Sequence, residues 1–289
     1  MVTAASDEFK TAIGARLLKM ADRDPAAILD ALSPYLSFET EGWRRVVAGL
    51  AMRRRTLLEL AGLSQDGVVR LILEASGGTL VLNVPFNPSQ MRLISIREAI
   101  GLPVLLARSR PEEQYYWRQF LEDSGTLYVH YRQCADDPTL KFADFSAQVL
   151  AEIDTRKPRR VIVDLRFNQG GNDRVIRPLV AGLASRSKTI GAPFVLIGPI
   201  TFSSGVRAAH ELRDKARARI IGTPTGGHLG GYGEARSRRL SHSQLGIQWT
   251  TRFYASPEPV RPDITVITTA ADLRGGRDPG LEDAIAAPR

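Results

Sequence analysis

The chain has 289 residues, 43% of them hydrophobic and 24% charged, with a net charge of +8, the make-up of an ordinary globular protein with room for one large domain or two smaller ones. Its basic residues are scattered among acids and alanines, as in Arg213-Asp214-Lys215-Ala216-Arg217, without interleaved aromatics, which argues against nucleic-acid binding. The single cysteine, Cys134, rules out an internal disulfide; no apolar run has the length of a membrane span, and the opening MVTAASDEFK lacks the apolar core of a secretory signal, so a cytoplasmic location is expected.

In chain order, Asp24-Pro25 begins a helix, an acid at the N-cap followed by proline in the first turn. Ile28, Leu29, Leu32 and Leu36 give it an apolar stripe. A second helix is predicted over residues 43–60. Residues 68–73 and 79–84 read as strands turned at Gly77-Gly78. Pro85, Pro88, Pro103 and Pro111 punctuate a looser connection, and the boundary is set there. It divides an N-terminal α+β region, residues 1–110, from a core, residues 111–289. In the core, strands at 126–131, 161–165 and 194–197 alternate with a helix carrying Phe142, Phe145, Val149 and Ile153, a helix at 175–184, and one from the Ser203-Ser204 turn to about Leu212. Strands at 219–221 and 248–254 close the pattern, which predicts an α/β sheet flanked by helices.

Three segments carry the chemistry. In RRVIVDLRFNQGGN, Arg159 to Asn172, a β-branched strand runs through an acid into paired glycines. Gly170 and Gly171 leave their amides uncovered, which suits the stabilisation of an oxyanion. In TFSSG, Thr201 to Gly205, Ser203 stands at a strand-to-helix turn, where the helix dipole is positive and the Ser204 amide lacks a partner within the helix. A nucleophile beside a free N–H is half of an acyl-transfer site; an N-cap serine is the competing explanation. In GTPTGGH, Gly222 to His228, a glycine loop presents a histidine that can act as general base near neutral pH or stand simply as a loop residue. His130 and His242 have no evident partner, and His210 lies about two turns beyond Ser203. Cys134 and His130 would share a strand face if the strand ran that far, allowing a thiol site, although a lone cysteine more often behaves as a small hydrophobe. No metal-ligand spacing and no phosphate-binding glycine motif is present, and no cofactor is expected.

Taken in order, DLRFNQGG, TFSSG, GTPTGGHLGGYGE and RPDITV (Arg261 to Val266) resemble the carboxy-terminal processing, or tail-specific, serine peptidases, closest to the branch with tricorn-core-like and interphotoreceptor retinoid-binding-protein-like members. The strong part runs from about Tyr115 to the end. Residues 6–85 are similar more loosely to the family's PDZ-like or linking segment. The resemblance implies a crotonase- or Clp-like α/β core of ββα units with a smaller, degenerate PDZ-like or linking region before it. It implies Ser203 as nucleophile, an oxyanion hole from the amides of Ser204 and of Gly170 or Gly171, and Glu234 as an orienting or structural acid. The family's processing proteases use a lysine in the glycine loop as base, and the matching residue here is His228. The tricorn-like branch instead uses a histidine upstream of the PDZ-like region. The sequence has no match to it, so a base donated by a homo-oligomer or a partner chain is the alternative to His228.

Three functions compete. The first is a serine peptidase that cleaves peptide or protein substrates through an acyl-enzyme on Ser203. The second is a catalytically weak or inactive family member that binds a peptide or other ligand. The third is an esterase or transacylase on the same scaffold. A proton acceptor within reach of Ser203 separates the first from the second, and substrate class separates the third.

Overall fold

A run of parallel strands buried on both faces needs nearly continuous apolar sequence, and the core segments supply it. Leu127, Val129, Val161, Val163, Val195, Ile197 and Ile220 are buried among the helices, while Tyr128, Ile162, Leu196 and Ile221, on the opposite face, are equally closed to solvent. The computed structural model describes residues 1–86, 92–102, 104–256 and 258–288. Pro88 and Pro103 lie outside the described residues.

The chain divides into two compact units, Met1–Pro111 with Ile267–Glu282, and Glu112–Val266 with Asp283–Arg289. The stretch 267–282, placed in the core by the sequence, therefore groups with the first unit. That unit holds a three-stranded antiparallel sheet of Arg16–Met20, Val68–Ala75 and Gly78–Pro85, with Val68–Ala75 in the centre. Its helix Pro25–Leu32 is capped as predicted, Asp24 accepting from the Ala27 amide at 2.9 Å. Ile28 and Leu32 meet Met20, Leu58, Leu63 and Val69 in its core. The single helix predicted over 43–60 is two, Glu41–Ala51 and Arg55–Leu60. They part within the like-charged run Arg53-Arg54-Arg55, where Arg54 takes extended backbone.

The second unit is built on a six-stranded mixed sheet, ordered Ile264–Thr265, Arg219–Gly222, Phe194–Ile197, Arg160–Asp164, Thr126–Tyr131 and Tyr116–Leu121. The first five strands run parallel; the edge strand Tyr116–Leu121 is antiparallel to its neighbour. The sheet opens with a ββα unit, that hairpin followed by helix Phe142–Arg156, and continues with βα units whose helices are Arg177–Ser185 and Ser204–Ala216. Phe142, Phe145, Val149 and Ile153 all face the core, as do Leu179, Leu183, Val206 and Leu212 from the other two helices. The strand predicted at 248–254 is not in this sheet: among the described residues Gly246–Tyr254 pairs only with Gly231–Arg239, as a separate two-stranded ribbon. No helix among the described residues is long and apolar enough to cross a membrane.

Parallel strands end at a common edge, so the loops that follow Tyr131, Asp164, Ile197 and Gly222 gather there. In α/β sheets this is the edge at which ligands bind.

Candidate active site

Ser203 ends the loop after strand Phe194–Ile197 and caps helix Ser204–Ala216. Its backbone stands at φ 51°, ψ −124°, in left-handed territory that a residue with a side chain occupies only at a cost of about 1–3 kcal/mol. Its side chain makes no capping hydrogen bond. The N-cap explanation of this serine is therefore not met by its geometry. Thr201 fixes the turn from beneath: buried, it donates to the Leu165 carbonyl at 2.9 Å and accepts from the Gly198 amide at 3.1 Å.

The glycine pair lies against this turn. A Cβ on Gly170 (φ 105°) would stand 2.7 Å from the Ser203 Cβ and 3.0 Å from the Ser204 nitrogen. The Gly171 carbonyl accepts from Ser204 Oγ at 2.6 Å. The two glycines differ in what their amides do. Gly170 N–H donates to Asn168 Oδ1 at 2.9 Å, whereas neither the Gly171 nor the Ser204 amide has an acceptor in the chain among the described residues. Gly170 thus serves by closeness, and its amide is already spent.

Asn168 joins these loops. Fully buried, it donates from Nδ2 to the Tyr131 carbonyl at 2.9 Å and accepts at Oδ1 from Gly170. Its own carbonyl accepts from the Phe202 amide at 2.8 Å, one residue before Ser203. Asn168→Ala should cost about 2–3 kcal/mol in urea unfolding, because two buried backbone groups lose their partners. Asn168→Asp, which keeps the acceptor but not the donor, should recover part of that loss.

The His228 loop reaches the same turn. Gly227 packs against it, a Cβ there falling 3.2 Å from the Ser203 nitrogen, and His228 follows, half-buried and bridged to Pro259. Glu234, by contrast, sits at the foot of the ribbon. It accepts from Tyr254 Oη at 2.9 Å and pairs with Arg252 at 3.4 Å, and these partners hold its carboxyl below the usual range, the Tyr254 hydrogen bond most of all. Between the glycine loop, the helix and the ribbon foot lies a cleft of about 310 Å³ lined by Asp173, Arg207, His210, Glu211, Leu229 and Tyr254. The Arg207 guanidinium spans it, 3.6 Å from Asp173 and stacked 3.6 Å over the Tyr254 ring.

The remaining candidates fall elsewhere. Strand Thr126–Tyr131 ends before Cys134, whose Sγ lies in the helix-side core and donates to Asn168 Oδ1 at 3.3 Å. Burial pushes this thiol up to about 11, so it is not a nucleophile at neutral pH. His130 faces the other side of the sheet, stacked on Trp117 with its Nδ1 3.5 Å from Tyr128 Oη. The Cys–His pair is thereby excluded. His210 pairs with Asp214 at 3.2 Å. Among the described residues no group of three or more His, Cys, Asp and Glu side chains is arranged to hold a metal ion.

Sequence reasoning missed the partners of His130. Asp164, completely buried, accepts from Tyr128 Oη at 2.6 Å and from Arg166 Nη2 at 2.7 Å. Burial opposes its charge, yet Arg166, His130 and Tyr128 together hold the carboxyl below its usual range. An acid closing an otherwise apolar strand, with arginine two residues on, was the available signal. Burial also lowers His130, against the pull of Asp164. Below its ordinary value near 6.5 the unfolded chain takes up a proton that folded His130 refuses, so stability should fall there as pH falls. The Asp164 contribution is lost later, as pH drops below the unfolded carboxylate range toward its depressed folded value. Urea midpoints measured from pH 7.5 to 4 check this: His130→Phe should remove the slope just below pH 6.5 and leave the steeper acid arm.

No family model matches the chain, and no curated protein matches it. Solved structures do. Mature CPAF complexed with lactacystin superposes with a TM-score of 0.59 at 14% identity, covering 95% of this chain and 76% of that one. Mature CPAF alone gives 0.57 at 14% identity, with coverages of 95% and 75%. The photosystem II D1 C-terminal processing protease is more distant, at TM-score 0.39 and 15% identity over 91% of this chain and 66% of that one. The chain thus has a mixed α/β peptidase-type fold, the one that its motifs resemble. The likeness to mature CPAF extends over nearly the whole chain.

Proposed function

We propose that the protein is a serine peptidase with Ser203 as nucleophile. The observation that carries this reading is the backbone of Ser203: strained, at a strand-to-helix turn, with its hydroxyl released from the capping role. Strain of this kind persists only where surrounding structure enforces it, and it clusters at functional sites. The motif order and the fold support the peptidase class.

Ser203 Oγ attacks a peptide carbonyl and passes its proton to a base. The carbonyl oxygen gains negative charge, which the Ser204 and Gly171 amides stabilise; each such donor is worth about 3 kcal/mol in comparable sites. Of the two glycines that sequence leaves open, Gly171 is assigned this role because the Gly170 amide is committed to Asn168. His228 is assigned as base because the loop that carries it abuts Ser203. Collapse of the adduct expels the amine, which takes up the proton, and water then hydrolyses the acyl-enzyme by the reverse path. Glu234, the candidate orienting or structural acid, braces Tyr254 at the cleft wall. The N-terminal unit is assigned as the PDZ-like or linking region.

A fluorophosphonate probe tests the reading. Ser203 should be labelled in the wild-type chain and not in Ser203→Ala, and His228→Ala should label at least tenfold more slowly. Labelling that survives in Ser203→Ala overturns the nucleophile. Undiminished labelling in His228→Ala moves the base elsewhere. No labelling of a folded wild-type chain favours a binding module, or a base supplied by another chain.

A further inference from the structure

Among the described residues the ribbon Gly231–Arg239 and Gly246–Tyr254 pairs with no other strand, and nearly every residue in it is exposed. Its pairing sorts the side chains into two unlike faces. Tyr232 opposes Phe253, Arg236 opposes Trp249 and Arg238 opposes Ile247; alternation puts all six on one face. The other face carries Ala235, Ser237, Gln248 and Thr250, with Arg239 and Arg252 toward its ends. On the first face Tyr232 is 77% exposed, Phe253 63%, Trp249 44% and Ile247 43%. A two-stranded ribbon is marginal by itself in water, and an uncovered row of aromatics marks an interaction surface.

Charge identifies the occupant. From Gly231 to Tyr254 the chain has four arginines and a single acid, Glu234. That acid is bound to Arg252 and Tyr254, and Arg236 and Arg238 have no carboxylate partner among the described residues. Arg236 and Arg238 stand together on one strand, opposite Trp249 and Ile247 on the other, so this face sets a basic strip beside an apolar one and matches an extended segment that carries both acids and apolar residues. The strand Gly246–Tyr254 also runs directly into the cleft, whose wall includes Tyr254.

We propose that this ribbon is a docking arm for an extended, acidic and apolar polypeptide segment. A second copy of the chain fits poorly, since it would bring together two ribbons of the same sign. The proposal is separable from the peptidase reading, because binding is measured with the Ser203 hydroxyl removed.

Full-length Ser203→Ala protein is titrated into a fluorescein-labelled peptide of three Glu-Leu-Asp-Phe repeats, a counterpart with lysine at each acid, and single-stranded oligothymidine. The acidic peptide should bind best, more weakly as salt rises. Arg236→Glu with Arg238→Glu, and separately Trp249→Ser with Phe253→Ser, should each weaken it at least about tenfold without changing the unfolding temperature. Equal binding by the lysine peptide, no binding, or binding indifferent to both pairs of substitutions overturns the proposal. Preference for oligothymidine assigns the arm to nucleic acid instead. A dimer in sedimentation that the same variants dissociate assigns it to a second copy.

Discussion

Ser203→Gly should be inactive and yet more stable than the wild-type chain. Losing the hydroxyl removes the nucleophile, and hydrolysis should fall by roughly 10⁴–10⁶-fold, as for nucleophile removal in acyl-transfer enzymes. The stability change has a separate origin. At φ 51°, ψ −124° a side chain is strained by about 1–3 kcal/mol, which glycine relieves. Glycine also loosens the unfolded chain by about 0.5–1 kcal/mol, leaving a net gain of about 1 kcal/mol. Ser203→Ala should be equally inactive with no such gain, since alanine keeps the Cβ. Urea unfolding of the three proteins, with hydrolysis measured beside it, separates the effects. A Ser203→Gly chain less stable than Ser203→Ala would mean that the turn carries no strain in solution.

Gly170→Ala should damage fold and site together. The added Cβ would meet the Ser203 Cβ at 2.7 Å and the Phe202 carbonyl at 3.2 Å, on a backbone at φ 105°. Strain at the glycine and displacement of the turn together predict a loss of about 3 kcal/mol or more. The turn that retreats is the one that aims Ser203 and presents the Ser204 amide, so probe labelling should be lost even where the variant stays folded. Labelling at the wild-type rate would show that the glycine loop and the serine turn are not in contact in solution.

Local sequence determined much of this protein. The buried strands of the core were legible because apolar runs bounded by turn residues leave few alternatives, and helix Phe142–Arg156 because its four large side chains recur at helical spacing. The motif order carried the class of fold. Ser203, the glycine pair and the His228 loop stood out because glycines and a serine at an element boundary have local conformational consequences.

Contacts between distant segments could not be read in this way. The sequence offered Gly170 and Gly171 as equivalents, and only the Asn168 side chain, placed by its bond to Tyr131, distinguishes them. It left Ser203 open as a helix cap, and only the packing of the Gly170 and Gly227 loops shows a backbone held away from that role. The His130–Tyr128–Asp164–Arg166 cluster required two strands to be adjacent and in register, His130 opposite Asp164. Arg236 and Trp249 lie thirteen residues apart in the chain (249 − 236), so their pairing exists only across the ribbon. Periodicity and turn chemistry act within a few residues and therefore survive in the sequence. Which amide is free, which histidine is buried and which face is uncovered depend on neighbours far along the chain, and only the folded structure brings those neighbours together.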